Sequence, residues 1–221
     1  MQLNERPAAT VKLIGGQLCL DFVNSVGGRR PALPSGKRGD EAYLVREDKL
    51  NDYGDLLAWS QHAGPLTEGE MQKLFRESRL QQTEAASVFE RAIALREAIY
   101  RICKAILNKT LPRQSDLGLL NQELTIAHGR VRLSLGEENF VWEWTDTRNA
   151  LDRMLWLIAD SAAELLTTGD LTRLRECGGE DCGWLFEDTS KNRSRQWCDM
   201  RDCGNLAKVR RFRSRLRADA P

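Results

Sequence analysis

Residues 177–205 read CGGEDCGWLFEDTSKNRSRQWCDMRDCGN, and the four cysteines in this run, Cys177, Cys182, Cys198 and Cys203, decide how the chain is organised. They form two Cys-x4-Cys pairs joined by a short spacer. Each pair can bend round a cation while the spacer lets the second pair meet the first, so four thiolates can complete a tetrahedral Zn2+ shell. Such a shell is closed, whereas a catalytic zinc keeps one position open for water or substrate. The two histidines, His62 and His128, are far away in sequence, so no local histidine and carboxylate set suggests a hydrolytic centre. The metal therefore folds the module and does no chemistry.

Two other readings of the same cysteines stay open. Four reduced thiols or two disulfides need no metal, although disulfides suit secreted chains. The opening MQLNERPAATVKL has charges but no apolar run followed by a small-residue cleavage site, which points to a reducing cytoplasm. Alternatively the thiolates form a redox switch, in which oxidation ejects the metal and unfolds the module. Arg175, Arg193, Arg195 and Arg201 would hold thiolates deprotonated or balance the charge of a closed centre. Cys19 and Cys103 sit among apolar neighbours and read as small core residues.

Outward from the cysteines, charge is distributed unevenly. Between Lys191 and Arg217 ten Lys and Arg face two Asp, a surplus of +8 in a chain of net charge +1, so the remainder carries −7. An acidic body with a basic end suits a regulator that offers one end to phosphates. At 221 residues and 41% hydrophobic content, the chain has room for one sizeable domain plus a small appendage. The most apolar stretch, MLWLIADSAAELL, is interrupted by Asp160 and Glu164, so no membrane span is expected.

Before the cysteines the periodicity is helical, with one β-hairpin. LIGGQLCLDFVNSV closes at Asn24-Ser25 and runs into GGRRPALPSGKRGD, an exposed, mobile loop by composition. Asp21 and Asn24 read as turn or capping groups, with a role as polar anchors of a pocket the alternative. A helix is expected from about Asp52 to Ala63, ended by Gly64-Pro65, and another from Thr67, where Thr67 and Glu70 match a capping box. The strongest signal is Phe89, Ala92, Leu95, Ile99, Ile102 and Ile106, recurring every three or four residues between Ala85 and Leu107. A shorter helix around Leu117, Leu120 and Leu124 ends near Gly129. RVRLSL and FVWEWT then alternate across Gly136-Glu137-Glu138-Asn139 as a hairpin. Asp146 would cap a last body helix through Leu165, which Gly169 stops. Trp142, Trp144 and Trp156 read as core, with a small-molecule pocket the alternative.

After Cys203 the segment LAKVRRFRSRLRA has good helix formers and no Gly or Pro. Leu206, Val209, Phe212 and Leu216 make an apolar stripe that could dock on the zinc core or the body. Lys208, Arg211 and Arg215 fall on one flank and Arg210, Arg213 and Arg217 on the other, all six candidates for nucleic-acid contact. A solvated helix whose arginines pair with the acidic body is the plainer reading.

Cys177 and Cys182, LFEDTSKNRSRQWC and Cys203-Gly204-Asn205 together resemble the CGNR zinc finger, and LIGGQLCLDFVNSV with FERAIALREAIYR resembles the ABATE domain. The resemblance implies a bacterial stress-induced transcription regulator, with the four cysteines as zinc ligands and the finger as the DNA-binding part. One position departs: the motif's final arginine is Leu206 here, so a contact made by that arginine would fall to Lys208 or Arg210. Asp188, Ser190 and Asn192 match the family pattern and read as groups shaping the loop between the cysteine pairs, with Trp184, Phe186 and Trp197 as a minimal core.

The expected fold is therefore mainly α with one β-hairpin (α+β), followed by a small C-terminal four-cysteine zinc module and a basic helix. Residues 1–170 form an ABATE-like domain and 171–221 the finger with its helix. The expected function is cytoplasmic regulation with Zn2+ as cofactor, DNA as partner, a small-molecule effector in the N-terminal domain, and a homodimer to read paired half-sites. A zinc-stapled protein-interaction module is the rival. No nucleophile and base pair, phosphate loop or open metal site suggests an enzyme.

Overall fold

The computed structural model describes residues 3–31, 43–145 and 150–218. Most of the loop after Gly27 and the expected cap Asp146 lie outside them. The body is built on α4 (Gln82–Leu107), a 26-residue helix against which the others pack. Its buried stripe is the one the sequence predicts: Ala92, Leu95, Ile99 and Ile102 are buried, with Phe89 and Ile106 partly so. Each large aliphatic side chain so buried contributes about 1.5–3 kcal/mol. That outweighs the few tenths per residue that propensity supplies.

Local signals set the helix ends. Asp52 caps α2 (Tyr53–Ala63) by accepting from the Asp55 N–H, and Gly64 closes it in the left-handed region at φ 100°. α3 (Glu68–Leu80) carries the expected capping box: the Glu70 N–H donates to Thr67 Oγ1 (3.3 Å) and the Thr67 N–H to the Glu70 carboxylate (2.8 Å). The short α1 (Leu18–Val23) contacts α4 and α6 (Arg153–Thr167), while α5 (Gln114–His128) packs on both α4 and α6. α6 begins at Arg153, later than an Asp146 cap implies, and Asp152 before it makes no side-chain capping bond.

Among the described residues, four two-stranded antiparallel sheets decorate this bundle. β1 (Val26–Gly27) pairs with β4 (Glu47–Asp48), and β2 (Arg30–Pro31) with β3 (Tyr43–Leu44). The expected hairpin is β5 (Val131–Leu135) with β6 (Phe140–Trp144), in register from Val131 opposite Trp144 to Leu135 opposite Phe140. β7 (Leu174–Glu176) and β8 (Leu185–Glu187) open the cysteine module. The other three pairs are two or three residues per strand, too short for alternation to announce them.

The tryptophan cluster needs correction. Trp156 is buried and stacks on Trp144, with centroids 5.7 Å apart, but Trp142 is 74% exposed. Leu133, Leu135, Phe140 and Val141 are exposed with it, so much of the hairpin stands off the core.

Beneath the module lies a buried ionic cluster. Arg96 on α4 forks onto Asp48 at 2.8 and 2.6 Å, and Arg29 forks onto Glu97 at 2.5 and 2.9 Å with its guanidinium 4.1 Å from the Tyr100 ring centre. Bidentate, charge-assisted bonds of this kind offset the desolvation of the buried guanidiniums.

Candidate metal centre

The module is fastened to the body before its cysteines are placed. Leu174 on β7 and Leu185 on β8 belong to the body's own core, and Lys104 on α4 pairs with Glu176. Asn24 forms the central tie. Its side-chain amide donates to Leu185 O (2.7 Å) and its carbonyl accepts from the Leu185 N–H (2.9 Å), so one side chain acts as a strand pairing with β8. Asn24 is the C-cap residue of α1, as a capping role expects, its N–H donating to Leu20 O (3.0 Å), and its side chain adds a partner 161 residues away. Trp184 Nε1 donates to Val26 O (2.7 Å), the Glu187 N–H to Gly15 O (2.8 Å), and Lys12 bridges Asp199 and Asp202 at 2.5 and 2.6 Å.

On this base the four cysteine sulfurs converge, all within 4.8 Å of one another. Cys198 Sγ lies 3.6 Å from both Cys182 Sγ and Cys203 Sγ. A Zn–S bond of about 2.3 Å puts tetrahedral sulfurs about 3.8 Å apart, so the spacing fits a zinc ion. Gly179 keeps the cluster open: a Cβ there would lie 3.3 Å from Cys203 Sγ and 3.5 Å from Cys177 Sγ. The Cys198 N–H points at Cys177 Sγ (3.3 Å). Hydrogen bonds from the Cys182 and Cys198 thiols pull Cys177 well below the ordinary thiol range. Cys177 beside them pushes Cys182 and Cys198 up, and burial pushes Cys203 up. Thiols this close ionise together only around a cation, which is the chemistry of a structural metal site.

The loop between the pairs has its own scaffold. Asp188, buried, accepts from the Ser190 N–H (2.9 Å) and hydroxyl (2.6 Å) and from the Arg195 N–H (3.0 Å), and Asn192 stands in the turn before Arg193, whose φ is 50°. Phe186 is fully buried, with Trp184 and Trp197 partly buried around it. Three of the arginines expected near the thiolates are occupied elsewhere. Arg195 covers the Phe186 ring at 4.2 Å and donates to the Trp197 and Cys198 carbonyls. Arg175 donates to Thr172 O and Leu174 O, and Arg193 to Thr172 Oγ1 and Asp170.

A single wide turn, Met200–Gly204, leads from the last cysteine pair into α7 (Asn205–Ala218). Lys208, Arg210, Arg211, Arg213 and Arg215 are exposed on it; the Arg217 side chain lies outside the described residues. Arg210 pairs with Glu180 (2.9 Å) and Asp181 (3.5 Å) of the module. The apolar stripe, which could have docked on the zinc core or the body, does not: Leu206, Val209, Phe212 and Leu216 are all exposed, Phe212 at 63%.

The family model described as "Putative stress-induced transcription regulator" matches residues 16–169. The chain belongs to the ABATE family. The CGNR zinc finger model matches residues 173–216 of this ABATE protein, which covers the cysteine cluster and most of α7. No curated protein matches the chain. The zinc expected from cysteine spacing thus agrees with both the finger family and the geometry. Among the described residues, no helix is long and apolar enough to cross a membrane. The ties made by Asn24, Lys12 and Arg29 were not read from the sequence. Arg96 was not read either, although a signal for it exists: it lies four residues after Ala92 and three before Ile99, on the buried stripe of α4.

Proposed function

We propose that this ABATE protein is a cytoplasmic, non-catalytic transcription regulator, residues 1–170 forming the body and 171–221 the reading head. Cys177, Cys182, Cys198 and Cys203 hold one Zn2+, which fixes the wide turn from which α7 departs. Lys208, Arg210, Arg211, Arg213, Arg215 and Arg217 meet DNA phosphates. The supporting observation is that Lys208, Arg211, Arg213 and Arg215 are exposed on α7 and form no ion pair among the described residues. A helix whose charges are already neutralised by its own body would have nothing to offer a phosphate backbone.

Titration of a fluorescent duplex with zinc-quantified protein across a salt series tests this. Four phosphates neutralised give a slope of about −3.6 in log K against log salt. Charge reversal of Arg210, Arg211 and Arg213 should abolish binding, as should zinc removal. Salt-independent binding, or none, refutes the reading. The exposed stripe of Leu206, Val209, Phe212 and Leu216 favours the rival, a zinc-stapled helix that docks on an acidic protein partner. A partner captured through α7 that survives nuclease treatment would support it.

A further inference from the structure

We infer that the groove at the junction of body, cysteine module and α7 is a binding site for a small organic anion with an apolar or aromatic body, its head held by Arg46 and Arg211. The groove encloses about 730 Å³ and takes its walls from the N-terminal segment, the β1–β4 corner, the cysteine module and α7. That volume lies within the range of about 300–1,000 Å³ common for small-ligand sites.

The chemistry follows from which wall groups are already satisfied. The Trp184 N–H is bonded to Val26 O and the Asn24 amide to Leu185, so both offer the groove carbon rather than donors. Lys12 is held by Asp199 and Asp202, Lys49 by Glu47, and Arg210 by Glu180. Arg46 from the body and Arg211 from α7 line the same groove and form no ion pair among the described residues. The groove's acids Glu47, Glu180, Asp181 and Asp202 are paired with Lys49, Arg210 and Lys12, so two guanidiniums outside those ion pairs, beside Val11, Trp184, Trp197 and Leu206, suit a ligand with one anionic head and an apolar remainder. Cys182, Cys198 and Cys203 also face the groove, but four thiolates close a zinc shell, so the ligand makes no bond to the metal. A four-thiolate zinc centre carries two negative charges, which keeps the anionic head at the arginines and the apolar body against the tryptophans.

Calorimetry on the zinc-loaded full chain, with no nucleic acid present, tests the site independently of the DNA reading. We expect one 2-naphthoate per chain and neutral 2-naphthamide at least about tenfold weaker. Arg46→Ala and Arg211→Ala, both at exposed positions, should each weaken 2-naphthoate about tenfold and leave 2-naphthamide unchanged. Ala207→Trp, which fills the groove from α7, should remove both. 2-Naphthyl phosphate binding more tightly than 2-naphthoate identifies a phosphate head, and the reverse order a carboxylate. No saturable binding of either anion, equal affinity for acid and amide, or indifference to both arginine substitutions overturns the inference.

Discussion

Asn24→Ala should uncouple the zinc module from the body. The side chain is 1% exposed and satisfies both backbone polar groups of Leu185, a residue that is itself fully buried. Truncation strands the Leu185 N–H and C=O where water does not reach, at about 1–3 kcal/mol each, or about 2–6 kcal/mol together. For a chain of this length that lowers the melting temperature by about 5–20 °C. Two probes followed in one urea titration read the effect: far-UV circular dichroism for the body helices and a chromophoric chelator for zinc release. In the native protein the two transitions should coincide, because Leu174 and Leu185 belong to the body's core. In Asn24→Ala, zinc release should move to lower urea ahead of helix loss. Asn24→Asp keeps the acceptor for the Leu185 N–H but sets a carboxylate oxygen against Leu185 O, so it should be no more stable than alanine. An alanine variant within about 0.5 kcal/mol of the native protein, with the transitions still superimposed, would refute the strand-like role of Asn24.

Four further outcomes follow from the same contacts. Burial raises the Glu97 carboxyl, but Arg29 and then Arg96 pull it net below the ordinary range. Its contribution is therefore complete above the unfolded glutamate value of about 4.3 and lost as pH falls below it; the deficit of Glu97→Gln in urea midpoint at pH 7 should shrink on acidification, and a constant gap would contradict this. Gly183→Ala, at φ 70° with its Cβ 2.6 Å from Arg29 Cβ, should cost at least about 1–3 kcal/mol, whereas Gly69→Ala in α3, where a Cβ meets nothing within 4 Å, should stabilise by about 0.5–1 kcal/mol. Burial pushes Cys19 up to about 12 and raises Cys103 as well; mass spectrometry of chelated native protein treated with iodoacetamide should find adducts on the module cysteines, those two reacting only after denaturation. Phe212→Ser should leave chemical stability within about 0.5 kcal/mol, and a larger loss would mean that the α7 stripe is docked after all.

What was legible depended on how locally each feature is encoded. The Thr67–Glu70 box, the Gly64 stop and the α4 stripe are decided within a few residues, and the structure repeats them. The cysteine cluster was legible because its ligand type and spacing are themselves the signal. The cap position of Asn24 was legible, but its side chain is committed to a strand 161 residues on, and no local pattern encodes that distance. Trp142 was misread for the opposite reason: alternation in FVWEWT says that the residues form a strand, not whether another layer covers its face.

The charge layout also changes meaning once contacts are known. A surplus of +8 between Lys191 and Arg217 against −7 elsewhere could describe a tail folded back on its own body. Apart from Arg193 with Asp170, the ion pairs between them run the other way: it is the module's acids that the body neutralises, Asp199 and Asp202 through Lys12 and Glu176 through Lys104. These contacts consume negative charge next to α7 and leave its cations alone, apart from Arg210 with Glu180 and Asp181. Exposed pairs of this kind contribute about 0–1 kcal/mol each to stability, so their larger consequence is electrostatic. Lys12 neutralises two carboxylates of the turn that leads into α7, leaving less negative charge to draw the α7 arginines inward. Substituting Lys12 with Gln should therefore weaken DNA binding although its side chain is no part of α7, and a variant that binds as tightly as the native protein would show that the field around α7 is set by its own residues alone.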